Sequence, residues 1–300
     1  FNKEPAARRH LERVRWPDGP VCPHCGGMER AHRIKGKGAR RGLWFCGHCR
    51  KQFSVTVGTV FERSHVPLHK WLLAMHLLCA SKKGMSSHQL HRMLGVTYKT
   101  AWFMAHRIRE AMRDLAPPPM GGKAKIVESD ETYFGPRGYE FTTGYGWQPK
   151  AGAGDKYKIM SLVERGGRSR SFHIPDMTSS TIRQNLVTNV MRDSTLMTDE
   201  AGHYKAVGKE YRKHRRVHHT KGEYVRGSAH TNTVESFFAL FKRGMRGTYQ
   251  HCGEKHLQRY LHEFDFRHSY RHVDDPARAV AALKGIEGKR LTYRRPRSWY

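Results

Sequence analysis

Acidic residues are scarce: 26 Asp and Glu stand against 55 Lys and Arg, a formal net charge of +29. An imbalance of that size is too large for an ordinary solvated surface and points to a polyanion as partner. Long apolar runs are also missing. The longest, Trp71 to Ala80, is interrupted by His76 and is half the length a bilayer span requires, and no apolar stretch follows a basic start at the N-terminus. The expectation is a soluble, non-secreted, cytoplasmic chain with no membrane partner. Cysteine is sparse too: four of the six fall in two close pairs, while Cys79 and Cys252 stand alone in segments expected to be helical. That is metal spacing and excludes a disulfide framework. The 38% hydrophobic content is enough for packed cores, so the charge does not imply disorder. Over 300 residues, two to three domains are expected.

Cys22-Pro23-His24-Cys25 and Cys46-Gly47-His48-Cys49 form two C-x2-C pairs separated by twenty residues, the spacing of small zinc ribbons. Four thiolates close a tetrahedron. The alternatives are His24 or His48 replacing one sulfur, or four reduced thiols with no ion. Leu43 to Phe45 and Gln52 to Val55 read as short strands.

From Val66 to Leu115 the periodicity is helical, with Trp71, Leu72, Met75 and Leu78 in phase. Ser87 to Leu94, the turn Gly95-Val96-Thr97, and Tyr98 to Met112 fit a helix-turn-helix. In that arrangement Tyr98, Lys99, Thr100 and Trp102 begin the recognition helix. Ala116 to Gly122 is rich in Pro and Gly and reads as a linker. Beyond it come a strand over Lys125–Phe134, a hairpin around Gly166-Gly167, a helix from Thr181 to Met191 and a short strand Thr195–Thr198 ending at Asp199. This order describes a mixed α/β layer.

Three acids sit where chemistry would use them: Asp130 in the first strand, Asp199 at the end of the short one, and Glu235 in a following helix. Converging carboxylates suit hard divalent cations, and two such ions about 4 Å apart serve in-line phosphoryl displacement. In that helix Val234, Phe237, Phe238 and Phe241 form the core stripe. Asn232, Glu235, Ala239 and Lys242 form a second stripe, with Lys242 placed to hold a phosphate. A capping box made by Asn232 and Glu235 is the bland alternative. Glu128, Glu131 and Glu200 read as solvated or salt-bridged neighbours, and His203 and His230 as residues in ordinary polar contacts.

Trp16-Pro17-x-Gly19 leads into Cys22-Pro23-x-Cys25. Gly58-Thr59-x-Phe61, Ser129-Asp130-Glu131-Thr132-Tyr133, Thr198-Asp199 and His230-x-Asn232-x-x-Glu235-Ser236-Phe237 follow in order. Over residues 1 to 295 this series closely resembles bacterial insertion-sequence transposases of the ISXO-like type. The resemblance implies a multidomain protein: a small zinc ribbon, an all-α helix-turn-helix segment, and an α/β ribonuclease-H-like mixed-sheet catalytic domain of the DDE class using Mg2+ or Mn2+. The expected boundaries are 1–60 for the N-terminal segment and ribbon, 61–118, 119–275, and a basic C-terminal tail over 276–300. Carried over, Asp130 and Asp199 match the first two acids, Glu235 or Asn232 the third position, and Lys242 the basic residue after it. Glu235 is favoured because an ionised carboxylate binds a divalent ion more strongly than an amide oxygen. Gly135-Pro136 departs from the paired Gly common at that turn. The implied reaction is hydrolysis at a transposon end followed by attack of the freed 3′-hydroxyl on target DNA, with no covalent protein intermediate.

Lys205 to Arg226 carries eight cations, among them Arg212, Lys213, Arg215 and Arg216, against Glu210 and Glu223. It reads as a phosphate-tracking segment, with a mobile loop as the bland alternative. Lys289 to Arg297 reads as a disordered arm. The expected partners are double-stranded DNA, both transposon ends and target, and further copies of the chain on that DNA in the bacterial nucleoid. A zinc-containing regulator without catalysis, and a ribonuclease-H-like nuclease lacking strand transfer, are the competing functions.

Overall fold

The computed structural model describes residues 3–36, 41–136, 138–150, 152 and 154–292, and the chain divides into two units, Phe1–Asp114 with Val273–Tyr300, and Leu115–His272.

The first unit starts with α1 (Glu4–Arg15), opened by Pro5 in its first turn and burying Ala7 and Leu11. A three-stranded antiparallel sheet follows, β1 (Ala31–Arg33), β2 (Leu43–Cys46) and β3 (Gln52–Ser54), in that spatial order. Trp16 seals it, packing edge-on against Trp44 at 6.0 Å and Phe53 at 5.8 Å. α2 (Leu68–Ala80) buries Trp71, Leu72, Met75 and Leu78, as their spacing predicts. α3 (Ser87–Leu94) is capped by the Ser86 hydroxyl and stopped by Gly95 at φ 59°, a left-handed turn that suits glycine. Three residues later α4 (Tyr98–Met112) opens on Thr97, whose side chain accepts from Thr100 N.

The second unit is built on one five-stranded sheet. Its strands are β4 (Ile126–Phe134), β7 (Tyr157–Glu164), β8 (Ser169–Ile174), β9 (Thr195–Thr198) and β10 (Lys213–Arg216), in the spatial order β10-β9-β4-β7-β8. β4, β7 and β8 are antiparallel neighbours, whereas β9 runs parallel to β4 and β10 parallel to β9. A separate hairpin, β5 (Tyr139–Thr142) with β6 (Gly146–Pro149), is inserted between β4 and β7. α5 (Ser179–Asn189), capped by Thr178, and the short α6 (Tyr204–Val207) cover one face of the sheet through Ile182, Leu186, Tyr204 and Val207. α7 (Asn232–Gly244) and α8 (Glu254–Ser269) cover the other, where Val234, Phe237, Phe238, Phe241, Leu261 and Phe264 pack with Ile159 and Val163. Burial on both faces is what a sheet with parallel strands requires.

Three expectations change, and one alternative, the mobile loop, falls away. The Pro-Gly stretch 116–122 is not a free linker at its end: Met120 is fully buried and donates its N–H to Asn189 O at 2.7 Å. A Cβ at Gly121 (φ 84°) would lie 2.1 Å from Ser194 Oγ, so this close approach needs glycine. The basic run 205–226 is ordered: it forms α6, β10 and two 3-10 turns, because β9 offers an open parallel edge. Cys252 lies between a π-turn over Met245–Tyr249 and α8, outside any helix. Finally, the stretch expected as a basic tail from 276 onward begins with a helix. α9 (Asp275–Lys284) is capped by Asp274, buries Ala279, Ala282 and Leu283, and packs on α2 in the first unit. Ile286 O then accepts from Val60 N at 3.0 Å. Residues 293–300, which hold Arg294, Arg295 and Arg297, lie outside the described residues.

Candidate active site and metal centre

β4 and β9 are in parallel register with Glu128 opposite Met197. Continued two residues past this last pair, the same register would bring Asp130 level with Asp199, just beyond the end of β9. Strand alternation places Glu128 and Asp130 on one face of β4, and Ser129 and Glu131 on the other. Val234 anchors α7 on the first face, so Glu235 arrives from the helix side.

The electrostatics register this convergence. Burial pushes the Asp130 carboxyl up to about 7, and the negative charges of Glu131, Asp199 and Glu235 add to it. Asp199 is also raised, by burial first and then by Glu131 and Glu200, while the Ala201 N–H holds it back. Lys242, two turns along α7 from Glu235, is lowered by burial and by Arg246, and Asp130 is the anion that supports its charge. Asp130, Asp199, Glu235 and Lys242 thus share one electrostatic neighbourhood. Asn232 is exposed at the first position of α7.

Glu235 has two polar neighbours of its own. Its Oε1 accepts from the Thr231 hydroxyl at 2.6 Å and lies 3.6 Å from His219 Nε2. Glu200, next to Asp199, accepts from the backbone N–H groups of Thr220 (3.0 Å) and His219 (2.9 Å). Those N–H bonds, Thr220 first, hold Glu200 at about 2. The residue after one acid therefore fixes the backbone of a residue touching another.

The capping box expected between Asn232 and Glu235 is replaced by a different cap. Thr231 occupies the capping position, and Glu128 reaches across from β4 to accept from Thr233 N at 2.8 Å, Val234 N at 3.0 Å and Thr233 Oγ1 at 2.9 Å. Glu128 is fully buried. Its charge is met by Arg165 Nε at 2.5 Å, and that guanidinium also binds Ser228 O and His230 O in the segment leading into α7. A buried carboxylate on helix N–H groups and a guanidinium is a stable placement. No local signal marks Glu128, since its partners lie 37 and 105 residues away.

On the opposite face of β4, Glu131 binds His203 Nε2 at 3.0 Å and accepts from the Tyr204 hydroxyl. That bond to Glu131 is the main reason the His203 imidazole is raised. His230 Nδ1 lies 3.4 Å from Glu128. Glu128 and Glu131 are thus salt-bridged neighbours of the acids, Glu200 is held by backbone N–H groups, and both histidines make polar contacts, in line with the sequence reading.

In the first unit the ligand atoms of Cys22, Cys25, Cys46 and Cys49 all lie within 4.8 Å of one another, with Cys22–Cys49 and Cys25–Cys46 both at 3.6 Å. A tetrahedral ion about 2.3 Å from each sulfur has edges of roughly 3.8 Å, so these four fit zinc. Neither His24 nor His48 belongs to the cluster; His24 Nε2 lies 3.3 Å from Gln52 O. Backbone N–H groups of Cys49 and His48 pull the Cys46 thiol down to about 7, whereas burial and neighbouring sulfurs push Cys49 up. Among the described residues it is the one group of His, Cys, Asp and Glu drawn this tightly together.

Of the residues expected to touch DNA, Tyr98 and Lys99 are exposed and Thr100 half-buried in the first turn of α4. Tyr98 stacks on His88 at 4.3 Å. In the other unit Arg212, Lys213 and Arg215 are exposed and Arg216 is half-buried, along or just before edge strand β10. Arg215 Nη1 donates to Ser228 Oγ at 2.6 Å. No helix among the described residues is long and apolar enough to cross a membrane.

Residues 121–269 match the ISXO2-like transposase domain and residues 2–52 the transposase zinc-ribbon domain. The chain is 31% identical over 288 residues to an uncharacterized protein in transposable element ISH50 of Halobacterium salinarum, covering 89% of this chain and 91% of that protein. Among solved structures it is similar to the simian T-cell lymphotropic virus intasome in complex with PP2A regulatory subunit B56 gamma, at 15% identity and a TM-score of 0.29 over 59% of this chain and 63% of that one. It is also similar to the Mos1 strand transfer complex, at 12% identity and a TM-score of 0.28 over 71% of this chain and 74% of that one.

Proposed function

The chain belongs to the ISXO2-like transposase family, and from that premise we propose that it cuts phosphodiester bonds at transposon ends and joins the freed 3′-hydroxyl to target DNA. The observation that carries this reading is the parallel register of β4 and β9, which brings the ends carrying Asp130 and Asp199 together, with burial and the charges of Asp199 and Glu235 opposing ionisation of Asp130. Repelling acids beside a +29 surface have little structural use, and a divalent cation relieves them.

Asp130, Asp199 and Glu235 would hold Mg2+ or Mn2+ in a ribonuclease-H-like domain. Such ions, when bound as a pair, lower the cost of charge on the attacking and leaving oxygens of an in-line displacement. The rest falls to the chain. Thr231 and His219 orient the Glu235 carboxylate. Lys242, close enough to feel Asp130, binds a phosphate oxygen and fixes the scissile group. Exposed Lys213 and Arg215 neutralise phosphates along the backbone, and the first turn of α4, as the recognition helix of a helix-turn-helix, enters a groove through Tyr98, Lys99 and Thr100. Glu235 takes the third position in preference to Asn232, because an ionised carboxylate binds a divalent ion more strongly than an amide oxygen.

Incubating labelled transposon-end duplex with the chain and Mg2+ or Mn2+ tests this. Cleavage should require the ion, and Asp130→Ala, Asp199→Ala and Glu235→Ala should each lose roughly a thousandfold in rate, the equivalent of several kcal/mol of transition-state stabilisation. Asn232→Ala should cut within a few fold of the parent. Equal cutting by all three acid variants defeats the proposal, and cutting without joining reduces it to a nuclease.

A further inference from the structure

The β5–β6 hairpin takes no part in the chemistry above. Its register sets Tyr139 opposite Pro149 and Phe141 opposite Trp147. Directly opposed residues share a face, so these four line one side, and Glu140, Thr142 and Gln148 take the other. Tyr139, Phe141 and Trp147 are 64%, 65% and 70% exposed, and Tyr145 at the turn is 78% exposed. The Phe141 and Trp147 rings meet edge-on at 5.9 Å, and Pro149 is also exposed. A two-stranded ribbon is marginally stable by itself in water, and soluble surfaces seldom gather apolar area of this kind without a partner.

We propose that this aromatic face packs against a second copy of the chain. Charge selects that occupant over nucleic acid. Between Arg137 and Lys150 there is one ionisable group, Glu140, apart from tyrosine, and no cation. Lys150 at the base is itself paired with Asp155 at 2.7 Å. A surface that tracks phosphates needs Lys and Arg, as β10 has with Lys213 and Arg215. Two chains of net charge +29 repel, and they approach with least penalty through a patch that carries no cation and one carboxylate. Tyrosine, tryptophan and phenylalanine are the residues enriched in such contacts.

The area sets the strength. Three rings burying roughly 150–250 Å2 each give on the order of 500 Å2 per copy, about 1,000 Å2 in all, the low end for a specific interface. Self-association is therefore weak in the free chain and is reinforced when one DNA holds two copies at high effective concentration. The need for paired ends rests on the proposed transposase reading; the contact itself does not.

Sedimentation velocity on the full chain, free and with a short random-sequence duplex, tests the assignment using a Phe141→Ser, Trp147→Ser double variant. The parent should dimerise reversibly, and the variant should need roughly tenfold or more protein to do so, with melting temperature and per-chain duplex affinity unchanged. The proposal is overturned if the variant dimerises like the parent, or if the parent is monomeric both free and on the duplex. It is equally overturned if the variant self-associates normally and loses duplex affinity, which would make the hairpin a nucleic-acid contact. Because no cleavage is read, a chain that dimerises through the hairpin yet never cuts DNA would refute the transposase reading alone.

Discussion

At the residue scale the site rests as much on Glu128 as on the acids it serves. Two residues before Asp130 on the same face of β4, it holds the first turn of α7 and so fixes where Glu235 stands relative to Asp130. Glu128→Ala would strand two helix N–H groups and the guanidinium of Arg165. The expected cost is about 2–4 kcal/mol, because removing one partner of a buried pair leaves the other uncompensated. Glu128→Gln keeps an acceptor for the helix and should lose less. Urea unfolding monitored on the second unit checks this ranking, and an alanine variant as stable as the parent would show that α7 is anchored by its phenylalanines alone. Asp130, Asp199 and Glu235 could be singled out in the sequence because each sits inside a short motif in a fixed order, and Lys242 because it follows on the same helical stripe as Glu235. Glu128 was not: a buried acid is indistinguishable from a surface one until its distant partners are known.

At the element scale, legibility follows the apolar pattern. β4, β7, β8, β9, α2 and α7 each bury a face against a core, so their period appears in the sequence. β10 has no such face. Lys213-His214-Arg215-Arg216 is a strand because backbone pairing with β9 makes it one, and its charge suits an edge. The β5–β6 hairpin hid for a related reason: its alternating aromatics point to no core within their own unit. α9 carried readable signals, Asp274 as cap and Pro276 in the first turn, but the basic residues beyond it suggested a tail. The ribbon, by contrast, was plain from cysteine spacing, and its strands are only three or four residues long. Strands that short need the ion, since metal binding in such modules supplies folding energy. Treating the chain with a zinc chelator should expose residues 22–54 to protease while β4 to α8 stay protected. A ribbon that resists digestion after complete zinc removal would contradict the role given to the four thiolates.

At the scale of the whole molecule, a chain of net charge +29 keeps Asp130 buried where it feels the negative charges of Glu131, Asp199 and Glu235. In the proposed function, the cationic surface would draw in a polyanion and the acids would hold the ions that make it reactive. Neither the charge nor the acids alone distinguishes a regulator from an enzyme. The place where divalent ions bind does. Anomalous diffraction from crystals of the full chain soaked with Mn2+ reads that location directly. Manganese should be bound by carboxylate oxygens of Asp130, Asp199 and Glu235; manganese bound elsewhere, with those three side chains out of its reach, would defeat the proposed function.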